Sequence, residues 1–435
     1  MMIDQEKKER FSSVVVVLFG LFIAVGVLLR DTAGIEVNKY ILLLIAAVPL
    51  LCLKVEYSVV FAAFLIPLYV GLPGNYISVV LLLRLLLEYV RGKIKLDFSL
   101  FLASIAVTLY LVITNVIWGS TSVYHLIGSI DFVVLALFVS ATLQYEKVKP
   151  VILAFSIGVA VVGVSMLAAT LQYYTLAELM SDSSRLGYTG MLGEELGEEA
   201  MIATIDPNFY GMNVMALASC GYLFLTSKGE KKGKIWMLIA LLVALAICLI
   251  GLSRTFLLAL VIWAVLALFT ETNIGRAVGV TVAAGVAVLL FVLLFPEVVE
   301  GFTRRFSEAD IMGANGRFDL IFEHASVWSE NLVSTFFGGG LYNNNTHCAP
   351  LLYLYGVGVV GMVFLVWWFG RILVLSNQTA KGRGLYRFVP FVVTFLLFST
   401  IPAAGALNYT FPLFVSMMAV SVAKRENKQE TTVQK

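Results

Sequence analysis

The stretch ICLIGLSRTFLLALVIW, residues 247–263, decides the fold class. Two apolar runs meet at Arg254, and apart from this arginine only Gly251, Ser253 and Thr255 dilute them. A span across a bilayer needs about 20 apolar residues, and here two candidate spans, 234–252 and 255–271, are joined by a very short turn. The pattern predicts an all-α, polytopic membrane protein.

The composition supports this class and argues against others. The chain has 435 residues, of which 60% are hydrophobic and only 13% charged, whereas soluble domains are typically about 25% charged. The net charge of +2 and the lack of a basic stripe with interleaved aromatic residues argue against a nucleic-acid partner. The four cysteines show no C-x-x-C or Cys/His spacing, so neither a disulfide framework nor a zinc site is indicated. We expect no cofactor.

Fourteen apolar segments are candidate transmembrane helices. Lys and Arg concentrate in alternate loops, and cytoplasmic loops carry this excess, so we expect an even number of spans with both termini in the cytoplasm. The candidate spans are residues 12–30, 38–53, 57–73, 76–91, 98–118, 126–144, 150–172, 206–226, 234–252, 255–271, 274–295, 349–372, 386–402 and 406–423.

These spans divide the chain into five parts. Residues 1–11 form a cytoplasmic N-terminal segment, and residues 12–295 hold spans 1–11 with an acidic external segment at 173–205. A large external loop, 296–348, separates spans 11 and 12. Spans 12–14 occupy 349–423, and 424–435 form a cytoplasmic tail.

Four polar motifs all fall on the external side of this predicted topology. They are Asp206-Pro207-Asn208, Ser253-Arg254, Gly316-Arg317 and His347. Polar groups at the ends of transmembrane helices are costly to bury and therefore suggest function. Gathered on one face, they predict a site for an anionic substrate that the membrane carries.

The arginines are the candidate anion ligands. Arg254 and Arg317 offer planar guanidinium groups that bind phosphate oxygens in pairs. Each arginine also has a structural alternative. Arg254 could extend to the lipid headgroups, and Arg317 could be a solvated loop cation paired with Asp319. Arg304 and Arg305 precede Arg317 and are candidates for substrate binding or plain surface charge.

His347 is the candidate base. It stands in YNNNTHC, residues 342–348, where a polar loop that includes Asn345 enters a span, and imidazole titrates near neutral pH. A lone histidine is more often structural. Asp206 and Asn208 can present acceptors to sugar hydroxyls, although Asp before Pro207 is also ordinary helix-start chemistry.

Three further features predict packing. The spacing of Phe318, Ile321, Phe322, Ala325 and Trp328 predicts an amphipathic helix that lies on the membrane or caps the bundle. A face with Gly356, Gly358 and Gly361 suits close helix contact. Arg84 and Glu88, four residues apart, predict a self-neutralising structural pair. Apart from these packing features, Asp131 is a carboxylate within a predicted span and a second-rank site candidate.

The ordered motifs resemble the O-antigen polymerase and O-antigen ligase family of bacterial envelope glycan assembly. The resemblance rests on DPNFYG (206–211), LSRTFLL (252–258), NGRFDLIFEHASVW (315–328) and THCAPLLYLYGVGVVG (346–361), and it covers roughly residues 200–365. Two positions depart from the family pattern. Cys348 stands where the family usually has Asn, and Thr255 where it usually has Gly.

The resemblance implies a GT-C type glycosyltransferase in the bacterial cytoplasmic membrane, with its active site facing the periplasm or exterior. A glycan on undecaprenyl diphosphate would be the donor, and a second lipid-linked repeat unit the acceptor. Arg254 and Arg317 would hold the diphosphate and His347 would deprotonate the acceptor. We expect inversion at the anomeric carbon and no metal, since no carboxylate cluster stands out on the external side. A chain-length regulator is a candidate partner.

Two alternatives remain. A ligase of the same family would move the finished glycan to another acceptor, and nothing in the sequence separates it from a polymerase. A lipid-linked oligosaccharide flippase or other transporter would also have many spans. Transporters place ionisable groups along a pathway in mid-membrane and often show repeats, neither of which is prominent here.

Overall fold

A computed structural model describes residues 2–68, 74–94, 96–119, 126–127, 137, 145–175, 207–225, 231–250, 254–270, 274–307, 317–341 and 348–379. Almost all of this part of the chain is helical, and it contains no β-strand. Its α-helices are α1 (Met2–Ala33), α2 (Lys39–Cys52), α3 (Val55–Leu65), α4 (Gly74–Val90), α5 (Phe98–Ile117), α6 (Tyr145–Thr170), α7 (Pro207–Leu225), α8 (Lys231–Ile250), α9 (Arg254–Thr270), α10 (Ile274–Leu294), α11 (Pro296–Ser307), α12 (Arg317–Ser329), α13 (Leu332–Phe337) and α14 (Ala349–Thr379).

Eleven of the predicted spans coincide with described helices, so the all-α prediction is confirmed for these segments. The other three, 126–144, 386–402 and 406–423, lie wholly or almost wholly outside the described residues. Within the described residues, four helical segments are long and apolar enough to cross a membrane: Arg10–Ala33, Phe98–Ile117, Pro150–Thr170 and Pro350–Ile372. These segments are compatible with a membrane protein. The total of fourteen spans and the orientation stay predictions.

Several helix bounds differ from the predicted segments, and two of the differences have a local explanation or change the domain description. Helix α1 begins at Met2 instead of residue 12, because the charged residues of this segment, such as Glu6, Lys7 and Lys8, are good helix formers. The segment 296–348, predicted as a loop with one helix, contains three: α11, α12 and α13. Pro296 is the first residue of α11, a position where the missing N–H of proline costs nothing.

Helix α6 lies at the centre of the N-terminal part of the bundle. It packs against α1, α3, α7 and α8. The side chains of Val151, Phe155, Val159, Val162 and Met166, which follow helical spacing, are buried along it. Helix α3 beside it is buried on all sides from Tyr57 to Leu65, as expected for a helix that is apolar all round.

The predicted Arg84–Glu88 pair is confirmed. Both side chains are buried, and Arg84 Nη2 lies 3.2 Å from Glu88 Oε1. The arginine also donates to the carbonyls of Leu51 and Leu53, which are among the carbonyls left open where α2 ends. This pair therefore fastens α4 to the C-terminal end of α2.

Helices α5 and α14 form an antiparallel pair. Arg371 donates to both carboxylate oxygens of Asp97, over 3.0 and 2.8 Å, and the indole of Trp368 donates to Ser104 Oγ over 3.0 Å. Further along, the hydroxyl of Tyr110 donates to the carbonyl of Val357 over 2.7 Å. Residue numbers rise along α5 as they fall along α14. Asp97 and Arg371 therefore share one end of the pair, as the predicted orientation requires.

Candidate functional site

Each of the four polar motifs lies where a helix begins. Pro207 is the first residue of α7, Arg254 of α9 and Arg317 of α12, and α14 begins at Ala349, two residues after His347. The first turn of a helix has N–H groups without helical partners and carries the positive end of the helix dipole. Two of these starts carry Arg254 and Arg317, the residues predicted to bind an anion.

The packing brings the motif-bearing helices together in two pairs. Helix α7 packs against α9, and α12 packs against α14. The first two motifs therefore belong to neighbouring helices, and so do the last two. That the two pairs face each other across one site stays a prediction.

The predicted site residues are described to different extents. The side chain of Arg304 is exposed on α11. Asn208, Arg254, Arg305 and Arg317 belong to described helices, but their side chains lie outside the described part of the structure. The whole of Asp206, Asn345, His347 and Asp131 lies outside it. Contacts between these side chains accordingly remain predictions.

The segment that contains His347 is held at both ends. Leu341 before it and Cys348 after it are both buried. Leu341 lies so close to α14 that a Cβ on Gly356 would be 2.7 Å from its Cα. On the other side, the carbonyl of Cys348 accepts from the N–H of Leu352 over 2.8 Å and so starts α14. The six residues 342–347 thus connect two fixed points.

Cys348 follows His347 directly, and its environment disfavours a nucleophile. Burial raises the pKa of its thiol, and the thiolate is the reactive form of cysteine. The thiol is free of any disulfide. Near neutral pH it therefore remains protonated and acts as a small apolar side chain at the helix start.

Helix α14 is broken inside its apolar segment. Gly358 has φ +65° and ψ −175°, a backbone conformation that is readily available only to glycine. The segment Gly338–Gly340 fills the break: the N–H groups of Gly339 and Gly340 donate to the carbonyls of Tyr355 and Gly356 over 2.9 and 3.0 Å. The predicted close contact at Gly356 and Gly358 is seen, but with this segment, and not along a continuous helix face.

Tyr110 joins the two sides of this break and was not among the predicted residues. Its hydroxyl lies 2.7 Å from the carbonyl of Val357 and 3.3 Å from that of Phe337. One phenol of α5 thus holds both the broken helix and the loop that precedes the His347 segment. The triplet Gly338–Gly340 was a turn signal in the sequence, whereas nothing local marked Tyr110.

The structure has a helix, α12, where the spacing predicted an amphipathic one. Its Trp328 packs on Tyr355 of α14, with ring centroids 5.5 Å apart, which favours the capping arrangement. Ile321 and Ala325 are partly buried on the same side, but Phe322 is 68% exposed. Phe322 therefore does not belong to the inward face on which the spacing placed it.

A buried carboxylate at the end of α1 was also missed. Asp31 is 2% exposed and accepts from the hydroxyl of Ser165 on α6 over 2.8 Å. Nearby, Gln172 donates to the carbonyl of Thr32. In the sequence, LLRDTAG (residues 28–34) resembles the ordinary polar end of a transmembrane span. A polar serine within the apolar run of α6 was the only signal of a buried partner.

Metal ligands do not cluster in the described part of the chain. There, no group of three or more His, Cys, Asp or Glu side chains could hold a metal ion. Because most predicted site residues lie elsewhere, metal independence stays a prediction. In comparisons with known proteins, no family model matches the chain, and no curated protein matches it.

Proposed function

We propose that this chain is a membrane glycosyltransferase that polymerises oligosaccharide repeat units linked to undecaprenyl diphosphate. The product would be O-antigen or capsular polysaccharide, made on the outer face of the bacterial cytoplasmic membrane. The observation that carries the proposal is that described helices begin at Pro207, Arg254, Arg317 and Ala349, next to the four polar motifs of the sequence.

In the proposed reaction, arginine side chains can stabilise the charge of the leaving diphosphate in place of a metal ion. The acceptor hydroxyl oxygen attacks the anomeric carbon of the donor sugar, and the bond from that carbon to the diphosphate breaks with its electron pair leaving on the phosphate. Arg254 and Arg317, supported by Arg304 and Arg305, stabilise this charge together with the open N–H groups of the helix starts. Direct displacement inverts the anomeric centre.

His347 takes the proton of the attacking hydroxyl in this scheme. A general base must lie within hydrogen-bond reach of the hydroxyl that it deprotonates. The fixed positions of Leu341 and Cys348 support such a role, because they limit where a segment of six residues can go. Asp206, Asn208 and Asn345 would accept hydrogen bonds from sugar hydroxyls.

The test uses purified protein in nanodiscs with lipid-diphosphate-linked repeat units from its host and a chelator. A ladder of lengthened, lipid-linked glycan on a gel is the expected result. A folded protein that makes no ladder counts against polymerase. Transfer to an added lipid A core or cell-wall acceptor would then indicate a ligase, and movement of the intact lipid across a vesicle membrane would indicate a transporter.

A further inference from the structure

Helix α13 is inverted in polarity. Its Ser334 is buried and donates from the hydroxyl to the carbonyls of Trp328 and Asn331, over 2.8 and 2.9 Å. The large apolar side chains around it face outward: Leu332 is 75% exposed, Val333 59%, Phe336 46% and Phe337 50%. A helix on an aqueous surface has the opposite arrangement.

The position of α13 along its neighbours explains this inversion. Phe337, at its end, is bonded to Tyr110 of α5, and Gly338 packs directly on Gly356 and Gly358 of α14. Tyr110 and Gly358 belong to the segments Phe98–Ile117 and Pro350–Ile372, both of which are long and apolar enough to cross a membrane. The contact is therefore made within the membrane-spanning segments, and not beyond their ends.

The Asp97–Arg371 ion pair is the reference point from which the depth of this contact in the membrane can be calculated. Tyr110 is thirteen residues from Asp97, and Gly358 is thirteen residues from Arg371. At about 1.5 Å of rise per residue, both lie about 20 Å from the charged end. A hydrocarbon core about 30 Å thick that begins at this ion pair extends about 10 Å further. The end of α13 then lies inside the hydrocarbon region.

At this depth the backbone N–H and C=O groups near α13 need hydrogen-bond partners within the protein, and several of them have one. Irregular backbone is tolerated within a membrane only where its polar groups find partners in the protein. The N–H of Gly338 donates to Ser334, and those of Gly339 and Gly340 donate to α14. The hydroxyl of Tyr110 donates to the carbonyl of Val357 over 2.7 Å and lies 3.3 Å from that of Phe337, both next to the break.

We propose that residues 331–341 form a re-entrant segment whose α13 inserts its apolar side chains among the acyl chains of the outer leaflet. The occupant of this surface is lipid, because the surface lies at hydrocarbon depth and the neighbouring helices α5 and α14 also expose apolar side chains, such as Ile113 and Val363. The inference depends on α5 and α14 crossing the membrane and not on glycosyl transfer.

The test places the photo-crosslinking amino acid p-benzoylphenylalanine at Leu332 or Phe336 of the full-length chain in membranes. Ser326, an exposed polar position on α12, is the matched control. Mass spectrometry after irradiation should find phospholipid adducts at 332 and 336 and only background at 326.

Two outcomes would overturn the proposal. Crosslinks from 332 and 336 to another segment of this chain, such as 386–423, would show that protein covers the surface. Absence of any adduct, together with rapid labelling of Leu332→Cys by a membrane-impermeant maleimide, would put α13 in water. A folding check by size-exclusion chromatography accompanies each variant.

Discussion

The hydroxyl of Tyr110 on α5 donates to the carbonyl of Val357, 2.7 Å away, at the point where α14 is broken. The peptide that follows Val357 leaves the helical path at Gly358, so this carbonyl needs a partner outside its own helix. The same hydroxyl lies 3.3 Å from the carbonyl of Phe337. One side chain therefore joins the break, the re-entrant segment and α5.

Removing this hydroxyl should loosen the N-terminal half of α14. Tyr110→Phe removes the single hydroxyl hydrogen that the carbonyl of Val357 accepts, which we expect to cost about 1–3 kcal/mol. Thermal unfolding followed by fluorescence-detected size exclusion should show a lower midpoint than wild type. Tyr40→Phe, at an exposed position, is the control. Equal midpoints for Tyr110→Phe and wild type would mean that the hydroxyl contributes nothing to stability.

Two glycines of α14 should respond in opposite ways to alanine. At Gly358 a Cβ meets the carbonyl of Phe336 and the positive φ is strained for alanine, so Gly358→Ala should sharply reduce the folded yield. At Gly370 nothing lies within 4 Å of the added Cβ, and Gly370→Ala should be neutral or stabilise by up to about 1 kcal/mol. Similar yields for the two variants would argue against the break.

The Asp97–Arg371 pair should make stability depend on pH. The hydrogen bond from Arg371 holds the pKa of Asp97 below its ordinary value, so its stabilisation is complete above the unfolded pKa. It is lost as the pH falls through the folded value. Asp97→Asn keeps a cap for the N–H of Leu100 but not the charge. We expect it to unfold at lower temperature than wild type at pH 7.

This difference in unfolding temperature should narrow on acidification below about pH 4, near the pKa of an unperturbed aspartate. Asp319→Asn, at an exposed position, controls for the loss of a carboxylate in general. A difference between wild type and Asp97→Asn that stays constant between pH 7 and pH 3 would contradict the assignment.

Much of the fold could be predicted because its signals are local. Apolar runs bounded by polar residues predicted helices such as α5 and α6, and Pro207 begins its helix as proline chemistry suggests. Arg84 and Glu88 could be paired from their spacing alone. Each of these inferences needs only residues that are near one another in sequence.

The break in α14 could not be predicted because its cause is not local. The glycines of GVGVVG (residues 356–361) are also compatible with an unbroken helix. Gly358 leaves the helical conformation where the segment Gly338–Gly340 bonds to α14. The inverted α13 resembles an ordinary apolar helix in sequence for the same reason. Its polarity makes sense only beside Tyr110, more than 200 residues earlier in the chain.

The candidate site, like the fold, could be predicted only in part from the sequence. Arg254, Arg317 and His347 could be chosen because charged and titratable groups are rare in such an apolar chain. Their helix starts lie where the sequence placed them. Their convergence depends on how α7 and α9 are arranged relative to α12 and α14, which no local pattern specifies.

The most direct measurement of the central claim compares single variants in the glycan-ladder assay with chelator present. Arg254→Ala, Arg317→Ala and His347→Ala should each reduce ladder formation by at least about 100-fold, as expected for groups that stabilise charge or move a proton in the transition state. Arg276→Ala, on the predicted cytoplasmic side, should retain it. Ladders of wild-type length from the three external variants, or loss of the wild-type ladder on chelation, would contradict a metal-free site at these residues.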